Sequence, residues 1–326
     1  MRSAAGRLLF LLLLLSGGYS AFAQDPEFTQ FYANPLYLNP AFAGSGRCPR
    51  FVMDYRNQWP VLTGTFVTSY ASYDQHFDAL QGGLGLSVYS DKAGEATITT
   101  TNVSGMYAYS VNLNRRFSFK FGIQGSYIQK GVDWAKMVFG DMIDKRYGTI
   151  FQTSEVPTPS RSYPDFSAGV LAYSTSYYGG IAVHHLTEPQ EGFSSLPKSY
   201  LPRKYTVHGG ALIPIEKGGS RKATAYISPN ILYQQQLKFQ QFNGGLYVIR
   251  DPLVGGIWYR YAFSNSDAVI VLAGLQHGIF KFGYSYDITV SKLAAASGGS
   301  HEFSFSTQFQ CKPKRKKFRT IHCPSF

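Results

Sequence analysis

The sequence predicts an all-β protein, a transmembrane antiparallel β-barrel of about 14 strands behind a cleaved signal peptide. Three observations lead there. Apolar and polar residues alternate with period two in many short runs, as they do on strands with one greasy face. The connections between those runs are short and long by turns. Finally, 16% of the residues are aromatic and only 15% charged, with 33 glycines, a mixture that suits neither a soluble α/β enzyme nor a helical membrane protein.

The first element is residues 1–23. Arg2 and Arg7 precede an apolar run from Leu8 to Leu15, and Ala21-Phe22-Ala23 has the small-x-small form of a signal-peptidase site, so the mature chain is expected to begin at Gln24. The run is too short to span a bilayer, which takes roughly 20 apolar residues. No cysteine lies beside the cleavage site, so a lipoprotein anchor is not expected. Without the two leader arginines the net charge of +12 falls to about +10. In an exported protein that excess points away from nucleic acid, and toward outer-membrane lipid or an acidic protein surface.

Residues 24–49 come next and differ in kind. Pro26, Pro35, Pro40 and Pro49 exclude a long helix or an interior strand. Asn34-Pro35 and Asn39-Pro40 read as two turns, with Phe28, Phe31, Tyr32, Tyr37 and Phe42 spread around them. Such a stretch either folds into the lumen as a plug or lies across the rim. Phe28, Asn34, Pro35, Asn39 and Pro40 are the residues expected to carry its role.

Residues 50–310 hold the strands, starting near 50, 65, 81, 96, 116, 165, 177, 204, 223, 240, 253, 268, 279 and 301. Phe280, Phe282, Tyr284 and Tyr286 oppose Lys281, Gly283, Ser285 and Asp287, and Phe117, Phe119, Phe121 and Ile123 oppose Ser118, Lys120, Gly122 and Gln124. An even count permits closure, which leaves no backbone edge unpaired in hydrocarbon. With both termini periplasmic, connections after odd strands are extracellular. These include the three longest, near 130–164, 187–203 and 288–300. Near the end of the first strand, Arg56 and Gln58 are expected to share the lumen face, with Trp59 on the lipid side in an aromatic girdle. Lys120, Gln124, Arg260, Lys281, Asp287 and Glu302 are further lumen candidates of both signs, which suits a self-neutralising interior.

Residues 311–326 form a basic tail. Lys314, Arg315, Lys316 and Lys317 precede Ile321 and an ending in Cys323-Pro324-Ser325-Phe326, an arrangement that suggests periplasmic docking or contact with lipid head groups. Cys48, Cys311 and Cys323 are odd in number in an oxidising compartment. Closure brings Cys48 toward Cys311, while Cys311 with Cys323 is the local alternative. No catalytic motif is present: no GxSxG elbow, no HExxH, no phosphate-binding loop. His184 and His185, adjacent on a predicted strand, should face opposite ways. Neither a metal nor any other cofactor is expected.

The run Gln24-Asp25-Pro26-Glu27-Phe28-Thr29-Gln30-Phe31, then Asn34, Asn39-Pro40-Ala41-Phe42-Ala43-Gly44, then Arg56-Asn57-Gln58-Trp59-Pro60 resembles the start of the PorP/SprF family, outer-membrane proteins of the type IX secretion system. The likeness continues through Gly83-Leu84-Gly85-Leu86-Ser87 with Asp91-Lys92, Pro164-Asp165-Phe166, His185-Leu186-Thr187 and the terminal Cys323-Pro324-Ser325-Phe326. The resemblance implies a non-enzymatic component that anchors or assembles the machinery and supports cargo export, serving gliding motility in some relatives. Implied partners are the ring lipoprotein and its periplasmic partner, a peptidoglycan-binding OmpA-like protein, and the C-terminal domains of cargo. On the residues alone the rival reading is a diffusion channel or hydrophobic-solute transporter.

Overall fold

In a computed structural model of the chain, the described residues run from 25 to 311, apart from 63, 65, 95–97, 115–116, 145, 155–159, 194–198, 218–222, 264 and 291–297. The expected leader and the basic tail, with Cys323, lie outside them. Fourteen antiparallel strands close into one barrel. They are β1 Arg50–Gln58, β2 Phe66–Phe77, β3 Gly82–Ala93, β4 Ile98–Asn112, β5 Ser118–Val132, β6 Ser160–Tyr173 and β7 Tyr177–His184. Then follow β8 Lys204–Ala211, continued as Ile213–Lys217, β9 Ala223–Gln236, β10 Phe239–Arg250, β11 Leu253–Ala262, β12 Asn265–His277, β13 Phe280–Thr289 and β14 Ser300–Gln308. Closure is made by β1 on β14, in register from Arg50 opposite Gln308 to Gln58 opposite Ser300.

The alternation that predicts strands also sorts their faces. Met53, Tyr55, Leu86, Val103, Ile123, Ile257 and Phe303 point outward and are exposed. Their neighbours in sequence, among them Asp54, Arg56, Ser87, Asn102, Ser104 and Glu302, point inward and are buried. An apolar outer face with buried polar and charged residues on the inner one, beside some apolar ones such as Leu171 and Trp258, is the reverse of a soluble fold and fits a wall whose solvent is lipid. Connections after odd strands gather at one end of the barrel and include the long ones. The turns after even strands gather at the other end, as do the start of β1 and the finish of β14.

Some expectations shift. The sixth strand starts at Ser160, not near 165, and the twelfth at Asn265, not near 268. The long connection before β6 carries its own small hairpin, Ile143–Asp144 with Gly148–Thr149. The shortest ladder in the wall joins β6 to β7 and runs only from Ala168–Val183 to Tyr173–Tyr178. Pro164 therefore stands beyond its last rung, on a stretch where a missing N–H leaves no gap in that ladder.

Candidate functional site

The barrel wall is lined by the chain's own amino-terminal segment. Asp25 to Cys48 thread the lumen from the long-loop end to the short-turn end. Asp25 donates its N–H to Gln236 Oε1 at the far tip of β9, and Gly44 donates its N–H to Asp74 Oδ2 near the start of β1. The proline pairs shape the path. Pro35 opens a four-residue helix, Pro35–Leu38, and Pro40 opens one turn of 3-10 helix, Pro40–Phe42. Proline suits these first helical positions because the N–H it lacks would have no partner there. Tyr32, Leu36, Ala41, Phe42 and Ala43 are fully buried, packed with wall residues Met106, Leu171, Tyr178 and Trp258 in one apolar cluster. Phe28 meets Tyr37 and Tyr70 edge-on, with ring centroids 4.9 and 5.7 Å away. Burying each large apolar side chain contributes roughly 1.5–3 kcal/mol before the entropy of ordering the segment is set against it.

Polar contacts hold the segment in register. Glu302, wholly buried on β14, accepts the backbone N–H of Thr29 at 2.6 Å and of Gln30 at 2.7 Å, and pairs with Arg56 Nη1 at 3.0 Å. Asp287 Oδ2 accepts from the Thr29 hydroxyl at 2.8 Å and pairs with Arg56 at 3.0 Å and Arg260 at 2.9 Å. Both arginines also donate to Thr29 Oγ1. Farther along, Asn39 Oδ1 caps the 3-10 turn by accepting Ala41 N–H at 2.9 Å, while its Nδ2 donates to the Val170 and Ile181 carbonyls. Lys120 donates to the Ala43 carbonyl at 2.5 Å. Asn34 is buried, and its side-chain atoms have no hydrogen-bond partner among the described residues. Glycines in the wall make room for this: a Cβ on Gly122 would lie 2.5 Å from Ala41 Cα, and one on Gly83 would lie 2.5 Å from Ala43 C. Cys48 and Cys311 form a disulfide that ties the foot of the segment to the end of β14.

At the long-loop end the segment meets a buried histidine. β7 stops at His184, and His185 takes a left-handed backbone with φ 57°. The strand alternation ends there, so both rings are buried, against the expectation that they face opposite ways. His185 stands 2.8 Å from Asp165 through Nδ1 and 2.8 Å from Asp25 through Nε2. Burial alone would lower its pKa, but the charge of Asp25 and hydrogen bonds to both carboxylates raise it to about 10. Burial would raise Asp25, yet His185 and then Lys204 hold it well below the usual carboxylate range.

Trp59 departs from expectation for the same kind of reason. It follows the last residue of β1 with φ 57°, donates its N–H to the Gly299 carbonyl at 2.9 Å, and lies edge-on to Phe66. Instead of facing lipid from a strand, it lines a cavity of about 330 Å³ at the long-loop mouth, together with Gln58, Arg56 and Asp25. The structure thus brings Phe28, Asn34, Pro35, Asn39, Pro40 and Arg56 into one luminal assembly, with Gln58 and Trp59 at its mouth. Lys314, Arg315, Lys316 and Lys317 fall outside the described residues. Glu302, Asp287 and Gly122 were legible as lying opposite the aromatic face, but nothing in their spacing names the segment they hold.

Comparison with known proteins accords with this architecture. A sequence profile described as Type IX secretion system membrane protein PorP/SprF matches residues 20–307. The crystal structure of the Ralstonia pickettii toluene transporter TbuX superposes with a TM-score of 0.50 at 9% identity, over 85% of this chain and 94% of that one. A Pseudomonas aeruginosa FadL homologue gives 0.50 at 11% identity, over 89% and 100%. At such identities the likeness concerns the barrel fold alone. No curated protein matches the sequence.

Proposed function

Because this chain belongs to the PorP/SprF family of type IX secretion system membrane proteins, we propose that its barrel serves as a plugged, non-enzymatic anchor for that machinery, supporting cargo export without conducting solutes. The chain is an outer-membrane component of the system; the anchoring role is the proposal. The observation that carries it is the filled lumen. A diffusion channel needs a continuous wet path, and here residues 25–46 occupy that path with an apolar cluster and buried ion pairs. The short-turn end is read as periplasmic, where the basic tail would emerge to meet the ring lipoprotein and its partner, the OmpA-like protein and cargo C-terminal domains. In this reading Cys48–Cys311 fixes the root of that tail to the rim.

The test is purification from cells in mild detergent with identification of what travels with the protein. Charge reversal of Lys314, Arg315, Lys316 and Lys317 should abolish co-purification of the ring proteins. If the complex survives, docking by the tail is wrong. A deletion strain should retain type IX cargo while taking up solutes normally. Normal cargo export with lost uptake of a hydrophobic solute would instead favour the transporter reading.

A further inference from the structure

The cavity at the long-loop mouth has a floor made by the amino-terminal segment, Asp25 to Glu27, and a wall made by β1, β2, β3, β10, β11 and β12. Its rim is aromatic, with Trp59, Phe66 and Phe239. Four carboxylates line it: Asp25, Glu27, Asp91 and Asp267. Two arginines also line it, but neither is free. Arg56 is engaged by Asp287 and Glu302, and Arg260 by Asp287 at 2.9 Å and Asp267 at 3.5 Å. Asp25 is engaged by His185 and Lys204. Asp91 accepts only the Thr68 hydroxyl, at 2.6 Å, and among the described residues no cation lies within salt-bridge distance of Asp91 or Glu27.

A second observation is independent of charge. Gln241 on β10 is 98% buried and lines the cavity, and no hydrogen bond from another described residue engages its side-chain amide. The amide is not sealed from solvent: the little surface it keeps opens into the cavity, where a ligand can take the place of water. Gln58 lines the same space.

We propose that this cup binds a cationic group, an ammonium or guanidinium, presented from the long-loop side. Asp91 and Glu27, neither of them in an ion pair at salt-bridge distance, supply the charge, aromatic faces favour a cation over water, and the Gln241 and Gln58 carbonyls accept its N–H groups. The volume admits one such side chain with its stem and falls at the small end of ligand pockets, roughly 300–1,000 Å³. The proposal does not depend on the anchoring role, since a barrel with either function would present the same cup.

The experiment is calorimetric titration of the purified full-length protein in detergent with Nα-acetyl-L-argininamide, with its neutral isostere Nα-acetyl-L-citrullinamide, and with glucose. The expected result is millimolar binding of argininamide that weakens as salt is raised, with citrullinamide at least about tenfold weaker. Asp91→Asn should weaken argininamide about five- to tenfold and Trp59→Leu several-fold, in protein that keeps the fast mobility of a folded barrel on unheated gels. Equal binding of argininamide and citrullinamide overturns the proposal, as does no heat with argininamide at tens of millimolar. Glucose binding in preference to both would make the cup a saccharide site instead. The wild-type comparison decides the matter even if a variant fails to fold.

Discussion

Replacing Glu302 with alanine should loosen the amino-terminal segment while leaving the wall closed. The side chain is wholly buried and accepts two backbone N–H groups, from Thr29 and Gln30, at 2.6 and 2.7 Å. Each orphaned donor costs about 1–3 kcal/mol, and Arg56 would keep only Asp287 as a carboxylate partner. A total near 4 kcal/mol follows from the lower half of those ranges. At about 1.4 kcal/mol per tenfold, the undocked state should become roughly a thousandfold more populated. Amide hydrogen exchange reads this directly: residues 28–32 should exchange roughly a thousandfold faster in Glu302→Ala, against unchanged protection in β4 and β5. Glu302→Gln, which keeps one acceptor, should fall between. Wild-type protection of residues 28–32 in a folded Glu302→Ala barrel would refute the clamp.

Other expectations follow from the same contacts. Gly122→Val places side-chain atoms against Ala41 and should lower the melting temperature and free the segment. Gly125→Ala, three residues on and facing outward with only the Phe166 ring nearby at 3.8 Å, should be near neutral by the same melt. The His185–Asp25 contact is alkali-sensitive. Because His185 is raised from 6.5 to about 10, its contribution is complete below about pH 6.5 and is lost as pH rises through 10. Exchange of residues 25–28 should therefore accelerate between pH 9 and about 11 beyond the intrinsic base catalysis, and His185→Gln should abolish that step. Cys48→Ala releases a link spanning 263 residues, and on a chain-entropy model should destabilise the unheated barrel by as much as about 5 kcal/mol. A gel-shift melting curve that does not move would contradict it.

The strands were legible because a wall between lipid and lumen must alternate, and fourteen runs such as Phe280 to Asp287 do. Boundaries were less so. At β6 the polar run Ser160 to Ser162 and the imino nitrogen of Pro164 mimic a loop, yet the ladder with β7 ends at Ala168, so nothing there requires an N–H. The cysteine alternatives could be stated because closure juxtaposes strand ends, but spacing could not choose between them. For residues 25–48 the sequence offered lumen and rim as alternatives and could not decide which. A segment without periodicity is placed by its partners, and Glu302, Asp287 and Gly122 reveal themselves only when the barrel closes around them. Trp59 and His185 mislead for one shared reason: each follows the end of a strand with a left-handed backbone, where alternation no longer predicts a face.

The most direct test is single-channel conductance in planar bilayers, comparing the intact protein with a deletion of residues 25–46. The lumen of the intact barrel should stay closed to ions, and the deletion should produce stable open channels. An intact protein that conducts as well as the deletion would contradict the account.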